Sequence, residues 1–594
     1  MIRTPLRPLA SVLRARQDGE NPDVIERENI RLRHEQMRDR ARMRAESRLL
    51  VLGVVFLCAF LTIGGRMGVL ANSEPSEPRA GGAGADIVAS RADIVDRRGR
   101  ILATNIETYS LYAQPPQMVE PIRAATALAE IFPDLDADRL LKDFTGKRKF
   151  VWVKRKLSPE QRQAVHDLGE PGLLFGPREM RLYPNGRLAA HVLGGTGFGR
   201  EGVHAAEVIG VAGVEKFFDD RLRDPAQGHA PLQLSIDLSV QSAVERVLQG
   251  GKLLMNAKGA SAVLMEVETG QIVALASLPD FDPNARPNPP TEGEPGDSPL
   301  FNRAVQGVYE LGSVFKTFTI AQALDLGLVD PSTIIDTRGP MRWGKHRIND
   351  FRNYGPTQTT TGVMVKSSNV GTARIAQEIG IERQRAFLGS LGLFEATPLE
   401  IVEAKSGRPL LPKRWTELST MTISYGHGLS SSPLHLAASY ATIANGGYLV
   451  TPTLMKGPRG QRGPRVLSER AAAQTMTMLR KVVTDGTASL AEVEGYAVGG
   501  KTGTADKPRA RGGGYYEDKV LSTFASVFPA HDPAYVLVVT LDEPVETSGS
   551  EPRRTAGWTA VPVASEITRR VAPLLGLRPV IEPGEIGGIT LTSN

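Results

Sequence analysis

The chain has 594 residues, too many for one hydrophobic core, so two or more domains are expected. Its 71 basic and 65 acidic residues leave a net charge of +6, with the densest basic stretch before residue 49, so no nucleic-acid partner is implied. A single cysteine, Cys58, rules out an intrachain disulfide, and the nine scattered histidines carry no metal-ligand spacing, so neither a metal nor another cofactor is expected.

Residues 1–48 are polar and charged without a sustained apolar stripe, and read as a mostly flexible tail. Leu49 to Gly65 is uncharged and almost wholly apolar; Arg66 interrupts it and the apolar character resumes to Ala71, which predicts a transmembrane anchor over 49–71. Arg38, Arg40, Arg42, Arg44 and Arg48 precede the anchor and Glu74 and Glu77 follow it. The positive-inside rule then keeps the N-terminus in the cytoplasm and exports the rest. A cleaved signal peptide is the rival reading, and a leader of almost 50 residues argues against it.

Pro, Gly and Ser residues mark a linker over 72–85. From 86 to 230 short β-like runs alternate with helical ones, as in a mixed domain. Beyond the break near Gln227-Gly228, Pro231–Asp237 alternates like a strand and leads into a helix over Ser239–Leu248. Ala260–Glu268 and Gln271–Leu278 read as apolar strands joined by Glu268-Thr269-Gly270. Leu311–Leu328, Leu434–Asn445 and Ala471–Val483 read as helices, and Tyr496–Thr504, Leu521–Phe528 and Tyr535–Leu541 as strands. This order predicts an α+β fold over 231–575, helices packed on an antiparallel sheet, with a tail at 576–594.

Three small polar clusters carry chemistry. Ser313-Val314-Phe315-Lys316 places a hydroxyl and an amine one turn apart on one helix face, and burial would leave the amine partly neutral, able to take the serine's proton. The helix N-terminus offers backbone N–H groups to an oxyanion. Alone, this pattern is better explained by a helix-capping serine and a solvent-facing lysine. Ser367-Ser368-Asn369, alone, would be a helix cap. Lys501-Thr502-Gly503-Thr504 follows Gly499-Gly500 on a strand, where the lysine and threonines suit a carboxylate and a backbone N–H completes an oxyanion hole. Lys405-Ser406-Gly407 fits the same short pattern, but Arg408-Pro409 follows and no strand partners exist, so it is rejected. In this order the three clusters supply a nucleophile, a base and charge-stabilising donors, which points to acyl transfer through a serine ester.

The arrangement resembles the penicillin-binding proteins and serine β-lactamases. Ser90 to Ala103 (with Asp96, Arg97, Gly99 and Arg100), Arg181 to Gly186, Ala190-His191 and Gly213 to Phe217 resemble the elongated pedestal domain of class B penicillin-binding proteins. Asn302-Arg303-Ala304, Tyr425 to Leu429 and Asp542-Glu543-Pro544 resemble their transpeptidase domain. The likeness runs from about 49 to 575, and Tyr425-Gly426-His427-Gly428-Leu429 with the single anchor looks most like the septal, cell-division enzyme. Leu311 stands where family members often have proline, which removes no chemical group.

The resemblance implies a D,D-transpeptidase that cross-links peptidoglycan stem peptides. Ser313 would attack the carbonyl between the last two D-alanines, Lys316 would take its proton, and Ser367 with Lys501 would relay a proton to the leaving D-alanine. Asn369 would hold the substrate amide. Thr502, Gly503 and Thr504 would receive the terminal carboxylate, with the Ser313 and Thr504 backbone N–H groups as oxyanion hole. β-Lactams would acylate Ser313. A separate membrane glycosyltransferase and other division proteins are the implied partners, and the bacterial inner membrane at the division site, with the catalytic domain periplasmic, is the implied location. An elongation-type transpeptidase, a D,D-carboxypeptidase and a non-catalytic β-lactam sensor or scaffold are the alternatives. Gly197 to Gly202 matches G-x-G-x-x-G in a context that favours a loop over a dinucleotide site. His427 is expected to be structural, and Arg97 and Glu215 to brace the pedestal.

Overall fold

The computed structural model describes residues 7–72, 91–201, 206–227, 230–458, 462–509 and 513–580. Most of the expected linker, 73–85, and most of the expected tail, 581–594, lie outside the described residues. The chain divides into two compact units.

One unit holds Met1–Pro78, Ala113–Val151 and Glu170–Gly172. Here the described part of the N-terminal tail corrects the expectation of flexibility: Arg7–Gln17 and Pro22–Asn72 are helices. No glycine or proline interrupts the stretch between Pro22 and Gly53. Asn21 accepts the Asp23 N–H at 3.1 Å at the helix start. Arg31–Glu35 and Arg42–Glu46 pair one turn apart at 3.2 and 2.7 Å. Arg7–Gln17 packs against this helix, and a polar helix supported by such one-turn ion pairs needs no apolar stripe. Its window Arg48–Gly65 has a mean hydropathy of 2.2 with none of it buried, long and apolar enough to cross a bilayer. In the same unit helices Pro121–Ile131 and Ala137–Thr145 pack together. Asp136 caps the second through the Arg139 N–H at 2.7 Å.

The other unit is built on a five-stranded antiparallel sheet: β1 (Gly259–Glu266), β2 (Ile272–Leu278), β3 (Gly499–Pro508), β4 (Tyr515–Phe528) and β5 (Tyr535–Asp542), in the order β3-β4-β5-β1-β2. Every residue of β2 and nearly every residue of β1 and β5 is buried. Side chains alternate between faces, so burial along the whole strand means that both faces are covered. Helices Leu238–Leu254 and Ala560–Leu574 pack together and on the sheet, as do helices Pro433–Ala444 and Glu469–Thr484. This is the expected α+β architecture, with one apolar core running through it.

Before β1, the short strand Ile94–Val95 pairs antiparallel with Ile101–Ala113 and parallel with Leu232–Gln233, so residues on either side of the Gln227 break share one sheet. The Asp96–Arg100 turn is pinned there. Arg100 reaches Asp96 at 2.6 Å and Asp237, the cap of helix Leu238–Leu254, at 2.8 Å. Arg97 does not brace the N-terminal region internally as expected; it pairs with Glu266 at the end of β1 at 2.6 Å. The Gly197 stretch lies on Gly195–Glu201, a strand of an antiparallel hairpin with Ala206–Ala212, which lacks the strand-to-helix turn a dinucleotide needs. Gly202 itself lies outside the described residues.

Glu215 is fully buried and accepts from Arg91 Nε and Arg181 Nε, each at 2.7 Å, while Arg91 also reaches Asp219 at 2.7 Å. Removing one partner of such a buried network leaves charge unpaired in a low dielectric. Glu215→Ala is therefore expected to cost about 3–5 kcal/mol, read as a lower melting temperature of the full-length protein in detergent. A wild-type melting temperature would show that the two guanidiniums are not held by Glu215.

Candidate active site

Ser313 does not open a long α-helix. It lies in a 3-10 turn, Gly312–Phe315, and α1 begins at Lys316 and runs to Asp325. The reason is local. Gly312 has φ of +64°, and a Cβ there would sit 2.8 Å from the Thr504 carbonyl oxygen of β3, so the chain turns tightly to pass the strand. The Lys316 N–H donates to the Ser313 carbonyl, which keeps hydroxyl and amine one turn apart. Val314, Phe315 and Phe318 are buried, Phe315 and Phe318 meet edge to face at 5.2 Å, and Tyr440 donates to the Val314 carbonyl at 2.9 Å. Ser313 itself remains partly exposed.

Ser367 ends helix α2 (Thr360–Lys366) in the left-handed region, φ 61° and ψ 45°. A serine there costs about 1–2 kcal/mol. Ser368 then caps α3 (Asn369–Ile379), accepting the Gly371 N–H at 2.9 Å. The cap reading of this stretch is realised by Ser368, while Ser367 stands just before it in the left-handed turn.

Lys316 Nζ donates to the Ser367 carbonyl at 2.5 Å and to Ser367 Oγ at 2.9 Å. Lys501 Nζ reaches the same Oγ at 2.9 Å and the Thr502 carbonyl at 3.1 Å. Both lysines are fully buried. Burial, and secondarily the neighbouring Lys501, push Lys316 well below its ordinary value, while Asp350 pulls it back up. Burial brings Lys501 down to about 7. Neither amine has a carboxylate in contact, so the neutral form is within reach at ordinary pH.

The structure therefore brings Ser313, Lys316, Ser367 and Lys501 into one locale. Asn369 adjoins them, with its Nδ2 donating to the Asn349 carbonyl at 2.9 Å. Thr502 Oγ1 meets Thr487 Oγ1 at 2.7 Å, and Thr504 Oγ1 accepts the Ala556 N–H at 3.0 Å. A Cβ on Gly503 would lie 2.2 Å from the Leu311 carbonyl, so only glycine admits the turn against the strand. The rejected Lys405-Ser406-Gly407 lies on and just after a 3-10 turn, Val402–Ser406, away from any strand.

Two acids escaped the sequence reading. Asp350 accepts from Ser368 Oγ at 2.7 Å and from the Asn369 and Val370 N–H groups at 2.5 and 3.0 Å. It fixes the start of α3, and its negative charge raises the Lys316 value. It lies 18 residues before its partner, and no local pattern links them. Glu310, three residues before Ser313, accepts the Gly428 N–H at 2.7 Å and the Tyr515 hydroxyl at 2.9 Å. His427 sits between the rings of Tyr425 and Tyr515, at 5.4 and 6.1 Å. Among the described residues no cluster of His, Cys, Asp and Glu could hold a metal ion.

The penicillin-binding protein transpeptidase domain matches residues 260–568, and the penicillin-binding protein dimerisation domain matches 86–229. The chain thus belongs to the penicillin-binding protein transpeptidase family, in the class B arrangement. It is 35% identical to a probable peptidoglycan D,D-transpeptidase FtsI of Caulobacter vibrioides, over 92% of each chain. It is 30% identical to the peptidoglycan D,D-transpeptidase FtsI of Escherichia coli, covering 77% of this chain and 80% of that one. Among solved structures, penicillin-binding protein 3 of Mycobacterium tuberculosis, complexed with aztreonam, is 27% identical with a TM-score of 0.62, covering 83% of this chain and 97% of that one.

A lysine whose folded value is about 7 against an ordinary 10.5 binds fewer protons folded than unfolded between those limits, so stability rises with pH across that window. Below about pH 7 the full cost of burying the ammonium is present. The melting temperature of the wild type is expected to climb from about pH 7 to 10 more steeply than that of Lys501→Met. Parallel curves would refute the buried, low-pKa amine.

Proposed function

We propose that the protein is a membrane-anchored serine D,D-transpeptidase that cross-links peptidoglycan stems during cell division. The observation that carries this reading is the meeting of two buried amines on one hydroxyl, Lys316 and Lys501 each 2.9 Å from Ser367 Oγ. The names of the FtsI relatives support the septal assignment.

Ser313 Oγ attacks the carbonyl between the two terminal D-alanines, and its proton passes to the neutral Lys316 amine. The oxyanion forms against the backbone N–H groups of Ser313 and Thr504. As the C–N bond breaks, Ser367, held between the two lysines, hands a proton to the departing D-alanine amine. Asn369 holds the stem's amide, and Thr502, Gly503 and Thr504 receive the terminal carboxylate beside Lys501. An amine from a neighbouring stem then attacks the ester and Ser313 recovers its proton. A β-lactam follows the same first steps, but its leaving nitrogen stays tethered, so the acyl-enzyme persists.

On this reading 49–71 is the anchor, 86–230 the pedestal and 231–575 the transpeptidase domain, with 1–48 cytoplasmic and the catalytic part periplasmic. The apolar window of helix Pro22–Asn72 supports the anchor. The cross-linker works on glycan strands that a partner membrane glycosyltransferase makes, within a division assembly.

Mass spectrometry of the penicillin-treated protein should locate one adduct, on Ser313. Ser313→Ala should abolish labelling, and Lys316→Ala should slow acylation by about 10²–10⁴-fold. Labelling that persists in Ser313→Ala, or a normal rate in Lys316→Ala, would remove that residue from its role. A fluorescent fusion should gather at mid-cell; distribution along the lateral wall would transfer the protein to elongation.

A further inference from the structure

Between Thr337 and Pro356 the chain makes a short hairpin, Met341–Trp343 paired with His346–Ile348. It borders a pocket of about 520 Å3, the size of a small-ligand site, lined among others by Arg338, Asn349, Asp350, Arg352 and Tyr354. The pocket shares a wall with the reaction site: Asn349 accepts from the Asn369 amide, and Asp350 holds the start of α3.

The charge of this segment is lopsided. It holds five cations, Arg338, Arg342, Lys345, Arg347 and Arg352, against one acid, Asp350. Asp350 already accepts from Ser368 Oγ and two backbone N–H groups. Arg338 is satisfied from outside the segment, through two bonds to Asp336 at 3.0 and 2.8 Å. The other four cations form no ion pair among the described residues, and all four are exposed. Arg352 is the one of these that lines the pocket. Close by, Arg374 touches Asp336 at 3.5 Å, and its buried Nε has no hydrogen-bond partner among the described residues. A guanidinium displayed at a pocket, with the local carboxylate already committed elsewhere, is arranged to receive a carboxylate from outside. Phe351, 80% exposed, adds apolar contact beside it, with the Arg352 guanidinium over its ring.

We propose that this pocket is a second substrate subsite, which holds a free carboxylate of a peptidoglycan stem through Arg352. The proposal rests on the transpeptidase reading above. A stem whose amide lies on Asn369 has the Asn349 wall directly beyond it, and each further extended residue adds about 3.3–3.6 Å of reach. The carboxylate belongs either to the acyl donor or to the acceptor, and the subsite discriminates stems that keep it free from stems in which it is amidated.

The test uses the full-length protein in detergent with synthetic peptide thioester donors and amine acceptors. Each is made with its inner carboxylate free or as the carboxamide. The wild type is expected to prefer the free form by about tenfold in kcat/KM, a charge-assisted hydrogen bond's worth, in one arm, and that arm names the stem. Arg352→Ala should erase the preference through KM with kcat nearly unchanged, and Arg352→Lys should restore part of it. Fluorescent penicillin is run on every variant, and an adduct on Ser313 certifies a folded, reactive site. Equal use of both forms in both arms, with that adduct present, would overturn the subsite and leave the transpeptidase standing. A preference that survives in Arg352→Ala would overturn Arg352 as its anchor. Failure of penicillin to label the wild type at Ser313 would instead overturn the underlying reading, and the subsite with it.

Discussion

Two lysine side chains, from the start of one helix and from one strand, are buried against a single serine hydroxyl. Placing two amines in a dry interior without a contacting carboxylate is costly, and the cost falls when they shed protons. The rest of the site is arranged to make this tolerable. Ser367 offers Lys316 its carbonyl and shares its hydroxyl between both amines, and Asp350 supplies a distant negative charge without pairing with either. Ser367 gains those bonds only by adopting a left-handed backbone that serine ordinarily avoids. The strain and the burial are two halves of one arrangement, and both depend on three separate segments staying in register.

Glycines keep that register. Gly312, Gly426 and Gly503 let the Ser313 turn, the Tyr425–Leu429 segment and strand β3 approach until their backbones touch. A Cβ on Gly426 would fall 2.0 Å from the Gly312 carbonyl, and Gly312 N–H donates to the Gly426 carbonyl at 3.2 Å. Glu310 holds the same region from the outer side, joining the Gly428 amide to the hydroxyl of Tyr515, the first residue of β4. His427 fills the space between two tyrosine rings, which fits a packing role better than a chemical one. The N-terminal signature serves the same rigidity from further away, since Arg97 and Arg100 tie the Asp96 turn to the end of β1 and to the cap of helix Leu238–Leu254.

The sequence by itself determined the family-level outline. The apolar span, the antiparallel sheet and the order of the Ser313, Ser367 and Lys501 clusters are written in local composition and spacing, which one-dimensional patterns capture. It also separated Lys501 from the decoy Lys405, because a strand context is local. Only the tertiary structure decided how these parts work. That Ser313 sits in a 3-10 turn follows from strand β3, far along the chain, pressing on Gly312 through Thr504. The helical N-terminal tail follows from single-helix propensity, which an apolar-stripe criterion does not register. Asp350, Glu310 and the Glu266 partner of Arg97 were invisible because each acts on a residue that only folding brings near. Charge and hydrogen bonding depend on distance in space, and the chain order records distance only along the backbone.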